Sequence, residues 1–228
     1  MSSNENPLID LIQLSQTLCQ QPIQGKLAYA TRENFLGRIV KGYHPEVTGT
    51  CLFTENAAQA LCNAQTALTT QGLGLFVYDS YRPLRAVRDF LTWIKEPVSD
   101  AYELERKRIH YPHLEKGELA NLGYLALEVS NHCFGDTVDL TLIDLSTGQL
   151  LDMGACFDYF DEISHTTATA KQIGETAYKN RQILSDAMQQ AGFMTYEKEF
   201  WHFTFQQRDI QTPLDFEITN LILGDFNF

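Results

Sequence analysis

Ser130-Asn131-His132-Cys133-Phe134-Gly135-Asp136-Thr137-Val138-Asp139 joins two metal-capable side chains across a glycine turn and runs directly into a strand. His132 offers an imidazole nitrogen and Asp139 a carboxylate oxygen, both of which suit zinc. Gly135 permits the sharp backbone turn through which the two can converge. From Thr137 the residues alternate, with Val138, Leu140 and Leu142 on one face and Asp139, Thr141 and Ile143 on the other. Asp139 therefore stands on a strand opposite an aliphatic row, a stiff platform for a ligand. Two ligands alone are a weak signal, because a His and an Asp seven apart arise by chance. The third is expected from Glu199-Phe200-Trp201-His202.

Upstream, Leu73 to Asp79 has the composition of a strand and ends in Ser80-Tyr81-Arg82-Pro83. Pro83 suits the first turn of a following helix, whose Val87, Phe90, Leu91 and Ile94 recur at helical spacing. Arg82 thus falls at a strand-to-helix junction; taken alone it reads as a surface arginine. Earlier still, Leu8 to Cys19 reads as a short helix and Leu27 to Thr31 as a strand followed by a turn. Gly42 to Pro45 reads as loop, and Thr54 as the cap of a helix stopped by Gly72. Residues 97–124 read as a short helix and a long irregular loop, a candidate lid. His110 and His113 have ligand-like spacing, but Pro112 disfavours a helix there and an ordinary loop is the expectation.

Downstream, Ser146-Thr147-Gly148 is turn chemistry between residues 141–145 and 149–153, hence a β-hairpin. Glu175 to Ala191 reads as a helix closed by Gly192. Phe200 to Phe205 alternates as a strand, with His202 and Thr204 on one face. On a regular strand Glu199 and His202 would point opposite ways, so a turn or bulge is required if both serve one site. Helices flanking several antiparallel strands give an α+β fold with a largely antiparallel central sheet. A single domain over 1–228 is expected, with 1–7 as a flexible tail.

The composition narrows the function. The apolar fraction of 44% fits a globular chain, and a net charge of −12 argues against nucleic acid or an anionic membrane as partner. A small zwitterion would hardly feel that field. The N-terminus has no basic segment leading into an apolar one, and no run is long enough to cross a bilayer. The five cysteines lack a C-x-x-C pair and read as free thiols in a reducing compartment, so a cytoplasmic location is expected. Cys133, although next to His132, reads as a bystander thiol because no dedicated base accompanies it.

Three protein ligands and one open position are the arrangement of a catalytic zinc. His132, Asp139 and His202 would give that set, one zinc per chain. Glu199, three residues before His202, can accept a proton from a metal-activated water and pass it to a leaving amine. Arg82 supplies a fixed charge for an oxyanion or a substrate carboxylate. Ser130 and Asp158 are candidates for holding the two ends of a small substrate. H-E-x-x-H does not occur, which excludes a helical zincin.

Taken together, Ser-x-His-x₆-Asp (Ser130, His132, Asp139), Glu-x-x-His before an aromatic (Glu199, His202, Phe203) and Asp-x-Tyr-Arg-Pro (Asp79, Tyr81 to Pro83) resemble the zinc D-alanyl-D-alanine dipeptidases. These are the VanX-type members of the M15 D,D-peptidase family. Tyr29-Ala30-Thr31, Asn34-Phe35, Met153-Gly154, Phe157-Asp158 and Ser164-His165 extend the likeness from about Leu27 to Phe205. The resemblance implies a D,D-peptidase (hedgehog-like) α+β fold, zinc on His132, Asp139 and His202, and Glu199 as base. It also implies Arg82 at the scissile carbonyl, with Ser130, Asp158 and Tyr29 around a bound zwitterionic dipeptide. Phe200 departs from the tryptophan usual there, and Asp136 adds a charge between the ligands. The competing expectations are a D,D-carboxypeptidase or L,D-endopeptidase, or a non-catalytic zinc protein of the same fold. Oligomeric state is not readable from the sequence.

Overall fold

A strand buried along nearly its whole length, residues 137–143, forms the middle of the protein. The computed structural model describes residues 7–98 and 100–219, so all but Pro7 of the expected tail lies outside the described residues. In chain order the elements are β1 (Ile9–Asp10), α1 (Leu11–Leu18), β2 (Gln24–Gly25), β3 (Leu52–Phe53), α2 (Glu55–Thr69), β4 (Leu73–Asp79) and α3 (Leu84–Trp93). Then come α4 (Ala101–His110), α5 (Glu118–Asn121), β5 (Thr137–Asp144), α6 (Ala170–Ile173), α7 (Glu175–Gln190), β6 (Phe193–Tyr196) and β7 (Glu199–Phe205). The main sheet has the order β2-β4-β5-β7-β6 and is antiparallel except for the edge pairing of β2 with β4. This is the expected α+β fold with a largely antiparallel sheet.

Burial follows from the sequence pattern. On β5 the aliphatic face (Val138, Leu140, Leu142) and the face bearing Asp139 and Thr141 are both covered. α2 and α7 pack on each other and on the sheet, burying Leu61 and Leu68 from one and Leu184 and Met188 from the other. A second focus is aromatic: Phe35 meets Tyr29, Phe90, Trp93 and Phe160 at ring-centroid distances of 5.1–5.9 Å. Among the described residues no helix is long and apolar enough to cross a membrane.

Four local expectations change. Residues 27–31 form no strand but a 3₁₀ turn, Ala28–Ala30. The Asn34 amide donates to the carbonyls of Thr31 and Arg38 at 2.8 Å, occupying acceptors a strand neighbour would use, and the edge strand forms earlier, at Gln24–Gly25. The hairpin after β5 shrinks to one bridge, Ile143 to Leu150, because the Asp144 carboxylate takes the Ser146 and Thr147 N–H groups and closes the turn locally. Pro83 is the cap of α3 rather than its first turn, since its ψ of 144° is still extended. The 97–124 segment carries two helices, not one. Asp100 caps α4 by accepting from Glu103 N–H at 2.9 Å, and the Glu103 carboxylate takes bonds from Trp93 Nε1 (2.8 Å) and Lys116 Nζ (2.7 Å). The buried ion pair ties the two parts of the segment together, and the Trp93 bond fastens it to α3.

Candidate active site

Three strands bring their functional residues into one row. Asp79 of β4 is the register partner of Asp139 on β5, and Asp139 is the partner of His202 on β7. The ladder therefore sets these side chains side by side without help from any loop. His132 arrives from a 3₁₀ turn, Asn131–Phe134, whose start is capped by Ser130 Oγ accepting from His132 N–H. Gly135, at φ 69°, closes the turn in the left-handed region and returns the chain into β5.

The result is a tight cluster. His132 Nε2 lies 3.3 Å from Asp139 Oδ2, His202 Nδ1 lies 3.0 Å from Asp139 Oδ1, and the two imidazole nitrogens are 3.4 Å apart. One donor atom from each residue falls within 4.8 Å of the others. His132 Nδ1 donates to the Ser80 carbonyl at 2.7 Å, so its Nε2 presents a lone pair to the cluster. A lone pair facing a buried carboxylate is repulsive unless a proton or a metal cation stands between them. Among the described residues, Asp79, Asp139, Asp158 and Glu199 surround the single guanidinium of Arg82 here, an excess of acid that a divalent ion would offset. The donor set fits a metal.

Glu199 reaches the same side through a bulge. Thr195 pairs with Phe203 but Tyr196 pairs with Glu199, so Phe200, Trp201 and His202 have no opposite residue on β6. The local twist turns Glu199 to within 3.5 Å of His202 Nδ1. The irregularity required by the spacing is therefore present. Burial, reinforced by the charges of Asp139 and Asp158, holds the Glu199 carboxyl well above the usual carboxylate range. Asp139 is shifted the opposite way, since the two imidazoles outweigh its burial.

Arg82 is clamped rather than exposed. Its Nε donates to Asp79 Oδ2 at 2.9 Å, its Nη2 reaches Asp139 Oδ2 at 3.3 Å, and its guanidinium lies over the Tyr29 and Phe90 rings. Asp79 in turn accepts from Tyr43 Oη at 2.7 Å. Asp79, which the sequence offers only as part of a motif, is thus the residue that aims Arg82. Its signal is an acid three positions before an arginine at a strand end.

Asp158 comes from the loop before α6, at φ 58°, the one non-glycine residue with positive φ among those described. Its buried carboxylate accepts from Tyr29 Oη at 3.0 Å, and burial with the nearby Asp139 charge raises its proton affinity well above normal. Tyr29, Arg82, Ser130, Asp139, Asp158, Glu199 and His202 all line one cavity of about 200 Å³, smaller than the roughly 300–1,000 Å³ typical of drug-sized ligands.

Sequence reasoning missed the wall opposite the sheet. Tyr124, Leu125, Ala126, Val129 and Phe160 line that wall, and Tyr196 at the end of β6 reaches across to it from the sheet. Tyr196 Oη donates to Gly123 O at 2.7 Å, and Tyr124 Oη meets His165 Nε2 at 3.0 Å. Two other residues stand aside. Asp136 does not lie between the ligands but takes Arg208 Nε at 2.7 Å, and Cys133 is buried with its thiol pushed up by desolvation. His110 ends α4 and turns its Nδ1 to the Asp158 carbonyl at 3.2 Å, away from the cluster.

The family model described as D-ala-D-ala dipeptidase matches residues 9–220. A D-alanyl-D-alanine dipeptidase of Enterococcus faecalis is 41% identical over 175 residues, covering 77% of this chain and 82% of that protein. One from Enterococcus faecium is 37% identical over 178 residues, covering 78% and 83%. One from Streptomyces coelicolor is 39% identical over 191 residues, covering 83% and 90%. A solved vancomycin resistance D,D-pentapeptidase VanY mutant in complex with Zn(II) overlaps at TM-score 0.41 and 13% identity, over 72% of this chain and 78% of that one, a likeness too loose to carry an argument.

Proposed function

The chain belongs to the D-ala-D-ala dipeptidase family of M15 peptidases, and from that premise we propose that it hydrolyses D-Ala-D-Ala, with zinc held by His132, Asp139 and His202. The family match over 9–220 also supports taking the chain as one domain. The observation that carries the proposal is the bulge in β7. It places the buried Glu199 carboxyl, no member of the ligand set, 3.5 Å from Nδ1 of the ligand His202. A binding protein has no use for such a group.

Zinc at these residues supplies a Lewis acid and lowers the pKa of a bound water from ~15.7 toward about 7. The residues do the rest. Glu199, whose surroundings raise its proton affinity, takes a proton from the attacking water and delivers it to the leaving amine. Arg82, held by Asp79, donates to the carbonyl oxygen as negative charge builds on it. The Asp158 carboxylate, braced by Tyr29, suits the substrate ammonium, and an incoming cation draws it back to its ionised form. Ser130 Oγ already accepts from His132 N–H, which leaves its own O–H to donate to the substrate carboxylate. The small cavity favours a dipeptide over a longer chain.

The direct test compares turnover of D-Ala-D-Ala, L-Ala-L-Ala and a pentapeptide ending in D-Ala-D-Ala, with and without added zinc. Only the first should be cleaved well, and chelation should abolish it. Efficient release of D-Ala from the pentapeptide would replace this reading with a D,D-carboxypeptidase.

A further inference from the structure

Arg181, midway along α7, is buried yet has no carboxylate within ion-pair distance among the described residues. Its donors go to main-chain oxygens instead. Nε donates to Met153 O at 2.7 Å, while Nη1 donates to Ile163 O at 2.8 Å and reaches His165 O at 3.3 Å. Nη2 finds no partner among the described residues. The face of the guanidinium lies 4.0 Å over the Phe200 ring. A cation kept inside the protein on carbonyls alone, with one donor unmatched, is costly to maintain and calls for a reason.

The position of its partners supplies one. Met153 precedes Asp158, and Ile163 and His165 follow it, so one side chain fastens both ends of the loop that presents Asp158 in a left-handed conformation. Phe200 is the neighbour of Glu199 within the bulge of β7. Arg181 therefore joins the loop on one side of the cavity to the reacting strand on the other. His165, at the far end of the loop, also holds Tyr124, which faces the sheet from the same side as the loop. The fork of a guanidinium is needed for this, because an ammonium cannot reach two diverging carbonyls and lie flat on a ring.

We propose that Arg181 is a positioning residue that sets the span between Asp158 and Glu199, and through that span the preference for a dipeptide with a free amino group. The proposal rests on Asp158 as the holder of that amine, as argued above. A side chain that merely supported the fold would, on removal, lower activity toward every substrate alike. One that sets the span should affect only substrates that use Asp158.

The experiment is steady-state kinetics of the zinc-loaded protein and of Arg181→Met and Arg181→Lys, on D-Ala-D-Ala and N-acetyl-D-Ala-D-Ala, with zinc content measured alongside. In Arg181→Met the KM for the free dipeptide should rise by up to about 10²-fold, the scale of a 1 Å misplacement, with zinc retained. The blocked dipeptide, already poor, should change little, so discrimination between the two narrows. Arg181→Lys should fall between and also serves if the methionine variant does not fold. Equal losses on both substrates, or an unchanged ratio in Arg181→Lys, would overturn the proposal alone. Unmodified protein that cleaves both substrates equally would remove the role of Asp158 and this proposal with it.

Discussion

The two walls of the cavity are built by different means. On one side Asp79, Asp139 and His202 are register partners across three antiparallel strands, so main-chain ladders fix their spacing. On the other, Asp158, Phe160 and Tyr124 come from irregular segments held by side chains: Arg181 on three carbonyls, Tyr196 on Gly123 O, Tyr124 on His165. A ladder cannot loosen at one residue, whereas a loop tied by individual bonds can. The chemistry is assigned to the stiff wall and substrate capture to the adjustable one. Substitutions should accordingly divide, with metal content and kcat following the sheet, and KM and substrate preference following the loops.

The largest effect should come from breaking the ladder side at its ligands. Asp139 bridges both imidazoles, so removing one of them leaves a lone pair and a carboxylate without a third donor. His202→Ala should therefore lose its zinc and all measurable turnover. Full zinc in that variant, by elemental analysis of purified protein, would show that the metal is held elsewhere.

Next in size is Glu199. It shares the stiff wall without belonging to the ligand set, so Glu199→Ala should keep zinc while kcat falls by about 10²–10⁴, the usual worth of a general base. Near-normal kcat would assign the proton to another group. Arg82 follows. Arg82→Ala should lose about 10²–10³ in kcat, or about 2.7–4 kcal/mol, with zinc unchanged. Arg82→Lys should recover part, since it keeps the charge without the fork that reaches Asp79 and Asp139 together. A sharp rise in KM at constant kcat would move Arg82 from the reacting carbonyl to the substrate carboxylate.

The same contrast accounts for what the sequence disclosed. The ligand row was legible because its ingredients are local: a glycine turn, an alternating strand, and a Glu and His three apart whose joint service demands a bulge. The central sheet followed from the same periodicities. The opposite wall was not legible, because Tyr124 and Phe160, and the Tyr196 and Arg181 side chains that hold it from the sheet and α7, acquire their roles only when segments distant in sequence meet. Nothing around Arg181 in the helix pattern distinguishes it from a solvated charge. The 27–31 segment failed as a strand for a related reason. Its apolar run is compatible with either state, and the Asn34 amide, by taking up the local carbonyls, decides for the turn. The hairpin after β5 was overextended because turn chemistry marks where a chain reverses, not how far it then pairs.

The smallest expected effect tests whether the loop wall really is the softer one, and uses pH. His110 packs behind Asp158, with Nδ1 on the Asp158 carbonyl, Nε2 2.8 Å from Arg106 Nη2 and its own carbonyl accepting from Phe160 N–H. Burial, helped by the adjacent Arg106 charge, lowers its pKa from 6.5 to about 4. The unfolded chain therefore binds a proton here more readily than the folded one. The stabilising contribution of neutral His110 is complete above pH 6.5, declines as pH falls from there to about 4, and is exhausted below that. A shift of this size corresponds to at most about 3 kcal/mol, at 1.36 kcal/mol per unit. Thermal unfolding of the zinc-loaded protein should show Tm falling across that window. His110→Gln, which keeps a donor for the carbonyl but cannot take up a proton there, should be less stable at pH 7 and should lose part of the slope. Because the folded protein keeps His110 neutral down to about pH 4, zinc content and KM should both hold across the upper part of the window, with KM rising only as pH approaches 4. Parallel pH profiles for the two proteins would mean that the acid sensitivity comes from the carboxylates of the sheet wall, and the mechanical division between the walls would fail at its most accessible point.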